Sequence, residues 1–447
     1  MTGALERSLE PTSGPPLRRW RGVVFRLGVS YWGLICLYIV VVNTSAFDWF
    51  TAPVSRAVGA FGEWIGKTLL AIPYEFSGDY TGSGDRTSDW VVLLCMAAIA
   101  LLATVAWSLL DRRSTRDPWL REVIRILVRY TLAFSMLGYG VLKLFRVQFS
   151  PPLPGQLIER VGDASPMGLL WTFMGVSPAY VVFAGAAETL GAVLLLFRRT
   201  TMLGALVLAG VMTNVVMLNF CYDVPVKIMS AHYLAMCLFL LLPDLRRLAN
   251  VIVLDGIAQP AARGELVLRA RWMRVTRRVV KCGVIGVVAI ATVQPIASRY
   301  SMMTAEQPRT WYGGTWAVTS FHRDGQEVPA NLTETTRWKR VRFQPQGGKV
   351  LFRWVDSSYG DLYDAAIDEH ARVITLTFDD KDHGTRPPQP GLGVIVFTYV
   401  RIDDNHLQLE GKVGLVRLSV QLERVETSNM LLLARGFHWI NEQPFNR

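Results

Sequence analysis

VVKCGVIGVVAIATVQPIAS, residues 279–298, carries a single charge, Lys281, in twenty residues. About 20 mostly apolar residues wound as a helix cross the hydrocarbon core of a bilayer. From Trp311 the pattern changes: Val394-Ile395-Val396-Phe397-Thr398-Tyr399 and Val373-Ile374-Thr375-Leu376-Thr377-Phe378 have the period-two, β-branched and aromatic character of strands. The junction near residue 299 therefore separates a helical membrane region from an all-β domain.

Six further apolar runs precede it, at 23–46, 90–110, 123–145, 179–198, 200–220 and 226–243, each bounded by charges or Pro. Together they predict a polytopic bundle of about seven transmembrane helices over 23–298. Glu188 interrupts the run at 179–198, and 166–178 reads as a short interfacial helix. The first run is longer than the roughly 7–15 apolar residues of a signal peptide, so it reads as a retained anchor, with a cleaved signal as the alternative. Basic clusters at Arg18–Arg26 and Arg112–Arg125, at Arg198 and Arg199, and across 244–281 alternate with poorer loops such as 47–89. Positive flanks stay in the cytoplasm. That places segment 1–22 there and, after seven crossings, 299–447 outside it.

The net charge of +11 follows the same division. From Arg299 onward 18 Lys/Arg balance 18 Asp/Glu, and the whole surplus, 29 against 18, lies in residues 1–298. Basic residues beside spans orient them and attract anionic lipid, so the lipid bilayer is the expected partner. No interleaved aromatic and basic pattern points to nucleic acid. The five cysteines, Cys36, Cys95, Cys221, Cys237 and Cys282, lie in or beside apolar runs and form no C-x-x-C, which argues against a thiol–disulfide relay.

Ionisable groups inside a bilayer are costly and face protein or a wet cavity. Lys143, Glu188 and His232 are the three that stand out, in the third, fourth and sixth runs. Glu188 sits in Gly185-Ala186-Ala187-Glu188-Thr189-Leu190-Gly191, with small residues that let helices approach. Lys143 is its candidate partner, or snorkels to the interface. His232 is either a hydrogen-bonded core residue or a proton carrier. Tyr139, Gln148, Asn214, Asn219 and Tyr222 are candidate ligand contacts around them. Asp223 has the look of a helix N-cap, with Lys227 pairing at i+4. Segment 146–178 is rich in Pro and Gly and reads as a connector or as a lid.

Roughly residues 121–250 resemble the DoxX family of small bacterial membrane proteins. The likeness rests on the Arg-flanked run ending in Gly140-x-x-Lys143, on Gln148-Phe149, on Gly185-x-x-Glu188-x-x-Gly191 and on the Asn- and His-bearing runs after it. It implies a four-helix membrane bundle. Because some members are subunits of thiosulfate:quinone oxidoreductases, it also implies a quinone- or redox-linked role in the bacterial inner membrane. No cofactor is specified by it, and this chain adds spans on both sides and a large further domain.

In 299–447 turn signals such as Asp324-Gly325, Gly347-Gly348 and Asp403-Asp404-Asn405 separate eight to ten strands, which suits a meandering antiparallel barrel or sandwich. Gly314-Thr315-Trp316 opening the first strand, with Arg435 late in the domain, resembles the lipocalin-like (calycin) barrels. There an early Gly-x-Trp packs near a late basic residue. A barrel of this size is filled by side chains or holds one small ligand. His438 and Glu442 stand four apart without a third ligand, so no metal site follows.

Two functions lead, and transport ranks behind them because the sequence shows neither an inverted repeat nor paired broken helices. In one, the bundle binds a lipophilic or redox-active molecule near Glu188, Lys143 and His232, with Glu188 in proton transfer. In the other, the protein is a non-enzymatic membrane-anchored scaffold or assembly partner whose outer domain binds another protein or envelope components.

Overall fold

The computed structural model describes residues 16–43, 48–69, 71, 83–111, 118–257, 271–304, 310–331, 334, 337–344, 348–355, 360–378 and 394–435. These form two compact units, Met1–Gln148 with Ala179–Tyr300, and Phe149–Pro178 with Ser301–Arg447.

The first unit is helical: α1 (Pro16–Asn43), α2 (Asp48–Thr68), α3 (Thr87–Leu110), α4 (Pro118–Leu144), then α7 (Pro178–Leu196), α8 (Thr201–Cys221), α9 (Lys227–Leu241), α10 (Leu245–Ile252) and α11 (Arg271–Thr304). Between α4 and α7 the chain contributes α5 (Pro154–Leu157) and α6 (Pro166–Val176) to the second unit. Among the described residues six helices are long and apolar enough to cross a membrane, at Trp20–Val40, Thr87–Leu110, Pro178–Leu196, Thr201–Cys221, Lys227–Ile252 and Val279–Ser301. The expected seventh, at 123–145, is α4. It forms a 27-residue helix, but Arg125, Arg129 and Lys143 keep it out of that class. The reason is its position in the core. Ile124, Val128, Leu132, Ala133 and Met136 of α4 are buried against Ile35 and Ile39 of α1, Leu195 of α7, Leu208 of α8 and Met236 of α9. A helix surrounded by protein is free to carry charge. Segment 47–89, read above as a loop, holds α2, which accommodates Pro53.

The second unit is built on nine strands: β1 (Gly314–Arg323), β2 (Gln326–Glu327), β3 (Trp338–Gln344), β4 (Lys349–Trp354), β5 (Gly360–Asp368), β6 (Val373–Phe378), β7 (Val394–Arg401), β8 (His406–Val413) and β9 (Val416–Arg424). Eight of them, all but β2, pair antiparallel in a meander from β1 through β3 to β9, and β9 returns to β1 to close the barrel. The β1–β2 turn has Asp324 and Gly325 at positive φ (48° and 85°), the left-handed pair that a tight hairpin demands. The one-turn helix α12 (Leu431–Ala434) follows β9.

Inward-facing residues fill the barrel. Trp338 of β3 lies 5.5 Å from Phe321 of β1, 4.3 Å from Phe352 of β4 and 5.8 Å from Phe397 of β7, ring centroid to centroid. Strands β3 and β7 are four apart in the sheet, so the last contact spans the lumen. Room for Phe397 comes from Gly411, where a Cβ would meet its ring at 2.5 Å. The basic residue expected at Arg435 is instead Arg424. It pairs directly with Trp316 in the β1–β9 register, stacks its guanidinium 4.5 Å from the Trp316 ring and donates to the carbonyls of Gly313 and Trp311. Arg435 lies beyond β9, after α12. His438 and Glu442 fall outside the described residues.

Candidate functional site

The site begins with two glycines. A Cβ on Gly140 of α4 would sit 2.3 Å from Thr189 Oγ1 and 2.9 Å from the Gly185 carbonyl; one on Gly185 of α7 would sit 2.8 Å from the Gly140 carbonyl. Only hydrogen at both positions allows α4 and α7 to touch backbone to backbone. One turn on, that approach delivers Lys143 to Glu188. Lys143 Nζ donates to both carboxylate oxygens, at 2.9 and 2.8 Å. Glu188 is 2% exposed and Lys143 7%. Gly191 performs the same service against α8, where a Cβ would strike Leu208.

Of the expected ligand contacts, Tyr139 lies beside the pair. The Tyr139 ring lies 5.7 Å from Lys143 Nζ and 6.1 Å from the ring of Tyr233 on α9. Asn219 is buried, and its side-chain nitrogen has no hydrogen-bond partner among the described residues; the same holds for Thr189 Oγ1 and Gln148 Oε1. Tyr222 caps α8 half-buried. Asn214 is exposed on α8 and stands apart from this interior.

His232 forms a separate couple. Its Nδ1 is 2.7 Å from the Ile228 carbonyl, which can only accept, so Nδ1 carries the proton. In the neutral ring Nε2 is then an acceptor, and the Tyr31 hydroxyl donates to it at 2.8 Å. Both nitrogens are occupied by these partners rather than by the Lys143–Glu188 pair. Tyr31, 201 positions away, gave no sequence signal, because a tyrosine in an apolar helix is ordinary.

The start of α9 corrects another expectation. Asp85, not Asp223, caps it: the Asp85 carboxylate accepts from the backbone N–H groups of Lys227 at 2.7 Å and Ile228 at 3.0 Å. Asp223 takes positive φ (50°) and pairs with Lys227 at 2.8 Å, as the i+4 spacing foretold.

In the second unit segment 149–178 packs as ordered structure. Ser165 Oγ caps α6 through the Gly168 N–H. Glu159 accepts from Lys339 Nζ at 2.7 Å and Arg340 at 2.6 Å, while Arg340, 4% exposed, also donates to the carbonyls of Gly155 and Ile158. Burial opposes the Glu159 charge, but those hydrogen bonds and the two positive charges outweigh it and hold the carboxyl below the usual range.

The uncharacterized protein YwoB of Bacillus subtilis (strain 168) is 36% identical to this chain over 133 residues, 83% of its own length. The chain belongs to that family. The shared part is 29% of the chain, and the name YwoB brings no activity with it. No protein-family model and no solved structure matches the chain.

Proposed function

We propose that the protein is an integral membrane protein of DoxX-like type that binds a lipophilic or redox-active small molecule, a quinone in the leading case, beside the Lys143–Glu188 pair. The observation that carries this reading is the pair itself, two full charges almost wholly withdrawn from solvent at a glycine-lined helix crossing. Such a pair costs desolvation and is replaceable by apolar residues at little loss of stability, so its presence asks for a use. At the same crossing Thr189 Oγ1, which faces Gly140, is buried without a partner among the described residues and offers a hydrogen bond to a ligand. A proton passing from Lys143 to Glu188 over 2.9 Å leaves a neutral amine and a neutral acid, which suits Glu188 to proton exchange with a reducible ligand.

In this reading α4 crosses the bilayer as the central helix of the bundle, the N-terminus is cytoplasmic and the barrel extracytoplasmic, in a bacterial inner membrane. The alternative, a membrane-anchored scaffold that engages an envelope protein, is favoured for the second unit by its filled lumen, which leaves the outer wall as the barrel's working surface.

The test is mass spectrometry of small molecules co-purifying with the full chain in native lipid particles. The wild type is expected to carry a stoichiometric lipophile that Glu188→Gln loses. Bulk lipid alone in both samples would favour the scaffold.

A further inference from the structure

The outer wall of the barrel carries a concentration of charge that the bundle reading does not use. On β3 and β4, Val341, Phe343, Val350, Phe352 and Trp354 point into the core. Period two therefore sends Arg340, Arg342, Leu351 and Arg353 outward. Arg340 stands directly opposite Arg353, and Arg342 opposite Leu351, which leaves Arg342 diagonal to Arg353, about 7–8 Å away along the sheet and within reach of long side chains. The bulge at Trp338/Arg340 brings Lys339 to the same neighbourhood.

Glu159 meets three of these four cations. Glu159 spends one oxygen on Lys339 and the other on Arg340, and Arg353 reaches it only at 3.9 Å. Arg342, half-buried, makes no hydrogen bond or ion pair among the described residues. Burial and the neighbouring charge of Arg353 both press its guanidinium toward losing its proton, which an arginine does not do. Like charges brought together on a folded surface are destabilising unless an anion joins them. Leu351 and its β5 partner Leu362, both part-exposed, lie beside the arginines.

We propose that Arg342 and Arg353 form a site for a phosphate-bearing anion on the outer wall of the barrel. Their two guanidinium forks match phosphate oxygens in the bidentate manner that lysine does not provide. The adjacent leucines give an amphiphile a place for its apolar part. The phosphate comes either from an anionic phospholipid headgroup or from a soluble phosphate ester.

Native mass spectrometry of the detergent-solubilised full chain, titrated with phosphatidylglycerol, phosphatidylcholine or inorganic phosphate, distinguishes these. The wild type is expected to retain phosphatidylglycerol over phosphatidylcholine. Arg342→Gln and Arg353→Gln are each expected to lose about tenfold in that affinity, the size of one charge-assisted hydrogen bond. Arg417→Gln, exposed on β9 and away from β3 and β4, serves as the control that loses nothing. Tryptophan-monitored melting shows that each variant remains folded. Saturable binding of inorganic phosphate with the same arginine dependence assigns the site to a soluble phosphate, and its absence assigns it to the lipid headgroup. Wild type that prefers neither anion, or arginine variants that bind like wild type, would overturn the proposal.

Discussion

Glu159 shows how one residue binds a peripheral segment to the barrel. Its carboxyl is held below the usual range, near 4.3 for glutamate, by Lys339 and Arg340. A group whose folded pKa is depressed adds stability that is fully present above the unfolded pKa and is lost as pH falls through the folded one. The barrel unit is therefore expected to lose stability progressively below about pH 4, and Glu159→Gln is expected to flatten that part of the profile. Melting temperature against pH for both proteins checks this; parallel profiles would remove Glu159 from the explanation. Residues differed in how far the sequence revealed them. Glu188 and Lys143 were visible because charge is rare in apolar runs. Asp85 and Tyr31 were not, because their partners lie 142 and 201 positions away and their own surroundings are unexceptional. Arg424 was missed in favour of Arg435 because choosing between late arginines requires the β1–β9 register, which only the closed barrel fixes.

At the scale of elements, the α4–α7 crossing is the feature on which the site depends. A Cβ on Gly185 would lie 2.8 Å from both the Gly140 carbonyl and Lys143 Cβ and 2.9 Å from the Leu144 nitrogen, so the helices must part. Gly185→Val is expected to cost about 1–3 kcal/mol from overpacking alone, and more if the ion pair opens. Gly210→Ala, at a position with nothing within 4 Å, is the matched control and should be near neutral. Thermal unfolding in one lipid composition compares them; equal melting temperatures would show that the crossing is looser than described. The elements themselves were largely legible, since the strands at 373–378 and 394–401 and the apolar helices have unmistakable periods. Strand β5 was harder to see, because Asp361, Asp364 and Asp368 break its alternation, and α2 was hidden by Pro53 and three glycines.

For the whole molecule, the count of crossings decides which side the barrel occupies. Six crossings return it to the side of the N-terminus, and seven place it opposite. Helix α4 is the difference, and its 27 residues give about 40 Å of helix at 1.5 Å per residue, enough to span. A single cysteine replacing exposed Ser428, in a chain freed of its own cysteines, is expected to react with an impermeant maleimide in intact cells. Labelling only after lysis would remove α4 from the membrane or invert the protein. Composition revealed the division into membrane and β regions, but not that segment 149–178 groups with the barrel, which depends on the contacts of Glu159 and α5.

The buried pair admits two uses, helix clamp or ligand site, and they separate most cleanly when both charges are removed together. Lys143→Met with Glu188→Leu leaves no orphaned charge and should stay folded, whereas Glu188→Leu alone strands a buried ammonium at a cost of about 3–5 kcal/mol. The decisive measurement is saturable binding of decylubiquinone to the wild type and to the double variant in the same lipid particles, with melting temperatures recorded alongside. Binding by the wild type that the double variant loses, at a melting temperature within a few degrees, is the expected result. Equal binding by both, or none by either, would contradict a ligand site at Lys143 and Glu188.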